Sequence, residues 1–142
     1  MSPETVDRFT YACDAGERLI RVAARQTLTV DDVLGIIDRQ VAEGRWSFGI
    51  LYDLRRVDAA LSKQDAARVA EHASTTGAAN GQRGPVALVA RPQMVAARQV
   101  YAIRTRRTMH VEVFWDVEEA QSWLMERLSR RLFEPKDSGL CP

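Results

Sequence analysis

Apolar and polar positions follow two different patterns along this chain, and the alternation between these patterns predicts its secondary structure. Short apolar runs, typical of buried strands, occupy 9–13, 19–24, 48–52, 86–90 and 111–114. Between and after these runs, apolar residues recur every three or four positions, which is the period of a helix with one buried face. This spacing covers 29–44, 62–75, 92–107 and 116–132. The pattern predicts five strands and four helices.

The predicted helix starts carry capping signatures. Three of them have a side chain that can accept a backbone hydrogen bond, followed three residues later by an acid that favours the positive end of the helix. The pairs are Thr29 with Asp32, Ser62 with Asp65, and Asp116 with Glu119. The fourth helix begins at Pro92, since proline suits a first turn.

The order of these elements, β-β-α-β-α-β-α-β-α, predicts one α/β domain. A short turn joins the first two strands, so we expect an antiparallel N-terminal hairpin. A helix leads to each later strand, so these strands should run parallel to the second. The sequence thus predicts a mixed, mostly parallel five-stranded sheet. We expect an N-terminal extension over 1–8, the domain over 9–132 and a flexible C-terminal tail over 133–142.

The composition excludes several classes of protein. The 142 residues include 20 Lys+Arg and 19 Asp+Glu, and this net charge of +1 argues against bulk attraction to nucleic acid or to a membrane surface. No apolar stretch approaches the roughly 20 residues of a membrane span, and the N-terminus has no apolar signal core. We therefore expect a cytoplasmic protein without stable membrane insertion.

The cysteines and histidines belong to no metal-binding or catalytic motif. They are Cys13, Cys141, His72 and His110. The glycine-rich segment 76–85 precedes a strand and lacks the phosphate-loop pattern. We expect no cofactor, no metal and no catalytic residue.

Two phrases of the sequence resemble a known family. Residues 111–124 read Val-Glu-Val-Phe-Trp-Asp-Val-Glu-Glu-Ala-Gln-Ser-Trp-Leu, and residues 49–55 read Gly-Ile-Leu-Tyr-Asp-Leu-Arg. With the element order, they look like the SpoIIAA-like proteins of the STAS/SEC14-like group. Those chains often end in a strand, an acidic turn and an Ala-x-x-Trp-Leu helix, and their central strand ends in Asp. The resemblance covers most of the chain and implies a regulatory or binding module.

The best-known members of that group, the anti-sigma factor antagonists, carry a phosphorylatable serine in an Asp-Ser-Ser-Gly turn after this central strand. Here residues 57–62 read Val-Asp-Ala-Ala-Leu-Ser, so the motif is absent. We therefore expect Ser62 to be a helix cap and not a phosphorylation site.

Candidate binding residues follow the predicted strands, at the sheet edge where open α/β proteins usually bind ligands. They are Arg25, Asp53, Arg55, Arg91 and Trp115, with Arg56 and Asp116 beside them. An arginine-rich rim near helix N-termini favours a phosphate, a carboxylate or an acidic partner. The alternative is that these arginines are solvated, or pair with Asp53, Asp58 and Asp116.

A second candidate surface lies on the predicted helix 92–107. Besides its core face, this helix carries a mixed apolar and basic stripe, formed by Met94, Arg98, Tyr101 and Arg104. Tyr, Met and Arg are enriched at interfaces, so we predict a homodimer through this stripe. The alternative is a half-buried helix with snorkelling arginines. No nucleic-acid-binding module is recognisable.

Three functions remain open from the sequence. The leading one is a non-enzymatic STAS-like module that docks a protein partner or a small anionic or apolar ligand. The second is a small enzyme with a pocket at the carboxyl ends of the strands. The third is a dimeric interaction protein without a ligand.

Overall fold

A computed structural model describes residues 4–5, 9–58, 61–91 and 111–133 of the chain. The strands are β1 (Glu4–Thr5), β2 (Phe9–Asp14), β3 (Leu19–Gln26), β4 (Gly49–Val57), β5 (Val86–Val89) and β6 (Val111–Phe114). The helices are α1 (Val30–Ala42), α2 (Lys63–Asn80) and α3 (Val117–Phe133). The predicted helix 92–107, and with it Met94, Arg98, Tyr101 and Arg104, lies outside the described residues.

The sheet has the predicted mixed topology. Its strands lie side by side in chain order, from β1 to β6. β2 and β3 form the predicted antiparallel hairpin, and β3, β4, β5 and β6 run parallel to one another. The two-residue strand β1, which was not predicted, pairs antiparallel with β2. The predicted single α/β domain with a mostly parallel sheet is confirmed in these described elements.

The two faces of the sheet carry separate cores. On one face α1 and α2 cover a large cluster that includes Ile20, Ile37 and Ile50. On the other face α3 covers a smaller cluster, in which Leu124 packs with Leu19 and Leu51. Alternate residues of β3 and β4 therefore serve opposite faces, as the two-residue period of a strand requires.

The helix caps follow the sequence signatures. Thr29 Oγ1 accepts a hydrogen bond from Asp32 N at 3.1 Å, and Asp32 Oδ2 accepts one from Thr29 N at 3.0 Å. Ser62 Oγ accepts from Asp65 N at 3.0 Å. At α3, Asp116 Oδ2 accepts from Glu119 N at 3.0 Å. All three predicted helix starts are confirmed to within one residue.

Helix α2 is longer than predicted. The sequence predicted an end near Thr75 and a flexible glycine-rich loop from Thr76, but the helix continues through Gly77 to Asn80. Gly77 faces Trp46, and a Cβ atom there would lie 3.9 Å from the indole ring. The helix ends at Gly81, whose φ of 90° is left-handed and whose N–H donates to Gly77 O.

Strand β4 is also longer than predicted, because it runs to Val57 and not to Tyr52. The sequence placed Asp53 and the two arginines after it in a loop, since charged residues are unusual in a central strand. They are accommodated because this part of β4 extends past β5, whose last partner on β4 is Asp53. The longer strand positions the candidate site.

No helix among the described residues is long and apolar enough to cross a bilayer.

Candidate functional site at the carboxyl end of the sheet

The predicted binding residues lie at the carboxyl end of the parallel strands. We call this group, together with the neighbouring Arg56, the strand-end rim: Arg25, Asp53, Arg55, Arg56, Arg91 and Trp115. Arg25 is the penultimate residue of β3, Asp53 and Arg55 lie in β4, and Arg91 and Trp115 follow β5 and β6 closely. The sequence therefore predicted the sheet edge at which these residues lie, although it placed Arg25, Asp53 and Arg55 after the strands and not within them.

Asp53 and Arg55 form a two-pronged ion pair. Arg55 Nε donates to Asp53 Oδ1 at 2.9 Å, and Arg55 Nη2 donates to Asp53 Oδ2 at 2.8 Å. The Arg55 side chain keeps 47% of its surface exposed. These bonds hold the pKa of the Asp53 carboxyl below its usual range and raise the pKa of the Arg55 guanidinium, to which the charge of Asp116 also contributes. Arg55 is thus held in a fixed orientation, with part of its guanidinium open to solvent.

A β-bulge in β4 brings further arginines together. Ala23 of β3 pairs with Asp53, whereas Arg25 pairs with Arg56, so β4 contains one extra residue between these partners. Leu54 and Val57 both pack on the core beneath α1 and α2, while the two residues between them are exposed. A regular strand would have turned one of these two arginines into that core. The bulge therefore leaves Arg55 and Arg56 both at the surface.

Arg91 lies on the other side of the end of β4. Its Nη2 donates a hydrogen bond to Val57 O at 3.0 Å. Because β5 ends at Val89, the guanidinium of Arg91 binds a carbonyl of β4 beyond the last residue of β5. Among the described residues, the alternative that the rim arginines pair with carboxylates holds for Arg55, whereas Arg91 binds a backbone carbonyl.

Trp115 is the exposed aromatic group of this end of the sheet. It follows β6 directly, and 54% of its surface is accessible, whereas the other large apolar side chains of the described residues are less exposed. The next residue, Asp116, caps α3, and its negative charge helps to raise the pKa of Arg55. An exposed indole at the sheet end that also carries the oriented Arg55 guanidinium is typical of a contact surface.

The helix N-termini at this end already hold carboxylates of the chain itself. Asp32, Asp65 and Glu119 lie in the first turns, and Asp116 accepts the N–H bond of its own cap. The helix dipoles are therefore partly compensated, so any preference of the rim for anions comes from its arginines and less from the helices.

Neither of two surface depressions includes a rim arginine. The first, of about 510 Å³, lies on the outer side of α3 and is lined by Asp116, Glu118, Glu119, Ser122, Trp123 and Glu126. The second, of about 270 Å³, lies between β2 and α1, with Tyr11 and Arg39 in its wall. Among the described residues, neither depression therefore brings a rim guanidinium into a cavity.

The other reactive side chains lie elsewhere. His72 Nε2 is 2.8 Å from Asp38 Oδ1, a contact that joins α2 to α1. Burial raises the pKa of the Cys13 thiol on β2. Within the described ranges, no three His, Cys, Asp or Glu residues are grouped to hold a metal ion. His110 and Cys141 lie outside those ranges.

Sequence reasoning missed a buried arginine at the opposite end of the sheet. Arg83 is 5% exposed, and its Cζ lies 5.0 Å from the centre of the Trp46 ring. Burial lowers the pKa of Arg83 and raises the pKa of the nearby Tyr52 hydroxyl. Nothing in the polar sequence around Arg83 indicates burial, since residues 80–84 have the composition of an exposed loop.

Comparison with solved structures identifies the fold. A crystal structure of an uncharacterized DUF3478-family protein from Shewanella loihica PV-4, described as having a SpoIIAA-like fold, matches 87% of this chain and 98% of its own. The TM-score is 0.51 and the sequence identity is 18%. This chain has a SpoIIAA-like fold. No family model matches the sequence, and no curated protein matches it. The SpoIIAA-like likeness predicted from the closing strand–helix phrase is confirmed at the level of fold.

Proposed function

We propose that this protein is a non-enzymatic STAS-like binding module that docks an acidic segment of a protein partner on the strand-end rim. The observation that carries the proposal is the placement of an exposed indole, Trp115, at the same sheet end as the oriented, half-exposed guanidinium of Arg55. A few residues carry most of the binding energy of a protein interface, and tryptophan and arginine are enriched among them.

The charges of the rim favour an acidic partner. Arg25, Arg56 and Arg91 are exposed at this end, while the carboxylate of Asp53 is already bound by Arg55. An incoming carboxylate would therefore meet guanidinium donors and little uncompensated negative charge on β4. The fold supports a module of this kind by analogy alone, since one fold serves many functions.

The test uses a fluorescein-labelled glutamate-rich peptide as the probe and fluorescence anisotropy as the measurement. We expect Trp115→Ala, and Arg55→Ala combined with Arg91→Ala, each to weaken binding by about tenfold or more, as loss of an interface anchor does. The control pair, Arg68→Ala with Arg130→Ala, removes the same charge from exposed positions on α2 and α3 and should leave affinity within about twofold.

Two results would overturn the proposal. The first is peptide binding that the rim variants and the control pair weaken equally, because that would be a response to net charge. The second is turnover of a metabolite by the purified protein that disappears when a rim residue is replaced, because that would favour the small-enzyme function.

A further inference from the structure

We propose that Arg25 and Arg56 together form a recognition site for the dianionic phosphate group of a phosphomonoester. This inference rests on the proposed function, because it names a ligand class for the same rim. It depends on three features of β3 and β4: the cross-strand pairing of two arginines, the lack of a hydrogen bond or ion pair to either guanidinium among the described residues, and the constrained backbone beside them.

The two arginines are direct neighbours across the ladder. Arg25 and Arg56 are register partners, and adjacent strands lie about 4.8 Å apart. Both residues are exposed. Like charges opposite each other destabilise a sheet, so this pairing has a cost for the folded chain. In the part of the chain that the structure describes, neither guanidinium forms a hydrogen bond or an ion pair. The charge of Arg56 does act on Asp53, but both oxygens of that carboxylate are already bonded to Arg55.

The backbone on both sides of Arg25 is constrained. The register shift that makes Arg56 its partner lies immediately before it, between Ala23 and Arg25. Immediately after it, Gln26 has a φ of 65°, a left-handed conformation that is uncommon for residues other than glycine. Gln26 O accepts a hydrogen bond from Asp58 N at 2.7 Å, which ties the ends of β3 and β4 together. Bulges and strained residues of this kind often orient side chains at functional sites.

The neighbouring ion pair indicates why a phosphate fits better than a carboxylate. Asp53 satisfies one guanidinium with both of its oxygens, in the two-pronged contact with Arg55. Arg25 and Arg56, as register partners on neighbouring strands, carry a combined charge of +2, and one carboxylate neutralises only half of it. A phosphomonoester dianion carries two charges and three terminal oxygens, so it can accept bonds from both arginines at once.

The experiment titrates the full chain with glycerol 3-phosphate at constant ionic strength, by calorimetry and by NMR of the arginine side-chain N–H groups. We expect saturable binding that strengthens as pH rises through the second ionisation of the ligand near 6. Dimethyl phosphate, which is only a monoanion, should bind about tenfold more weakly or not at all. Arg25→Gln with Arg56→Gln should weaken glycerol 3-phosphate binding by about tenfold, while the control Arg68→Gln with Arg130→Gln should not.

A second arm identifies the source of the phosphate. Phosphatidylcholine vesicles with and without phosphatidic acid present the same monoester on a lipid, and sedimentation measures the bound protein. Binding to either form that is lost in Arg25→Gln/Arg56→Gln supports the proposal and tells whether the ligand is soluble or membrane-borne. Absence of binding to both forms, or equal weakening by the control pair, overturns it.

The glutamate-rich peptide separates this inference from the proposed function. If glycerol 3-phosphate and the vesicles fail to bind while the peptide still requires Trp115 and Arg55, the phosphate site is wrong and the docking module stands. If the peptide fails as well, both proposals are wrong.

Discussion

The two ends of the sheet hold similar residues in opposite environments. At the amino end, Trp46 and Arg83 are 6% and 5% exposed and contact each other. At the carboxyl end, Trp115 is 54% exposed and the Arg55 side chain is 47% exposed. A tryptophan and an arginine thus belong to the core at one end and to the surface at the other.

The backbone explains why the amino end is closed. Trp46 Nε1 donates to Gly81 O at 2.8 Å, and Gly84 N donates to Trp46 O at 3.0 Å. These bonds join the loop before β4 to the loop before β5. At the carboxyl end β4 extends past β5 instead, and its last residues carry charges. We infer that the amino end holds the fold together and that the carboxyl end is free to serve a function.

The largest effect should come from Gly84→Ala. A Cβ atom at this position would lie 2.1 Å from Phe48 O and 2.5 Å from Ser47 O, and backbone atoms cannot move aside as a flexible side chain can. We expect a loss of about 3–5 kcal/mol in the free energy of unfolding, measured by urea titration.

The matched control is Gly35→Ala in α1, where a Cβ atom would meet nothing within 4 Å. This change should stabilise the protein by up to about 1 kcal/mol, because alanine favours a helix interior. Equal effects of the two substitutions would contradict the close packing at the amino end.

Arg83→Ala should have the next largest effect. It removes a buried side chain and its contact with the Trp46 ring, so we expect a loss of about 2–3 kcal/mol in thermal or urea unfolding. Arg83→Met keeps the volume of the stem and removes the buried charge, so its cost should be about 1 kcal/mol or less. A change below about 0.5 kcal/mol for Arg83→Ala would show that the amino end is not closed as described.

A smaller effect, which depends on pH, should come from Asp53→Asn. The pKa of Asp53 is lowered in the folded protein, so its ion pair adds stability above the unfolded pKa of about 3.9, and this stability is lost as pH falls through the folded pKa. Because the pair is partly exposed, we expect a difference under about 1 kcal/mol.

Urea unfolding of wild type and Asp53→Asn from neutral pH to about pH 3 measures this difference. The wild type should be the more stable near neutral pH, and the two curves should converge in acid. Parallel curves over the whole range would show that Asp53 and Arg55 do not interact in solution.

The smallest effects on stability should come from the exposed residues of the carboxyl end. Trp115→Ala, and Arg25→Gln combined with Arg56→Gln, should each change the free energy of unfolding by no more than about 0.5 kcal/mol. The double substitution of Arg25 and Arg56 should stabilise the protein slightly, because it removes the repulsion between two like charges on neighbouring strands. A loss above 1 kcal/mol in calorimetric unfolding would indicate a structural role and would weaken the contrast between the ends.

The homodimer predicted through Tyr101 is independent of this comparison and stays a prediction. Sedimentation of wild type and Tyr101→Glu at high protein concentration would test it. A wild-type protein that remains monomeric at high micromolar concentration would contradict the predicted homodimer.

Local signals in the sequence were sufficient for most of the fold. Capping residues such as Thr29 and Ser62 predicted helix starts to within one residue, and apolar runs predicted the strands at Val86 and Val111. These features depend on residues near one another in the chain, so a single sequence contains them. The carboxyl-end position of Asp53 and Arg91 also followed, because parallel strands end at the same edge of a sheet.

The tertiary structure decided how far β4 runs and which arginines meet. The bulge that pairs Arg25 with Arg56 depends on packing between strands that are distant in sequence, as does the burial of Arg83 against Trp46. Neither the pairing nor the burial has a local signal in the sequence, because the residues next to an arginine do not show whether it lies in a loop, in a core or in a binding site. The sequence by itself determined the order of the elements and the edge that carries the rim. Only the packing of the strands determined the side-chain pairs there, since long-range contacts fix strand register.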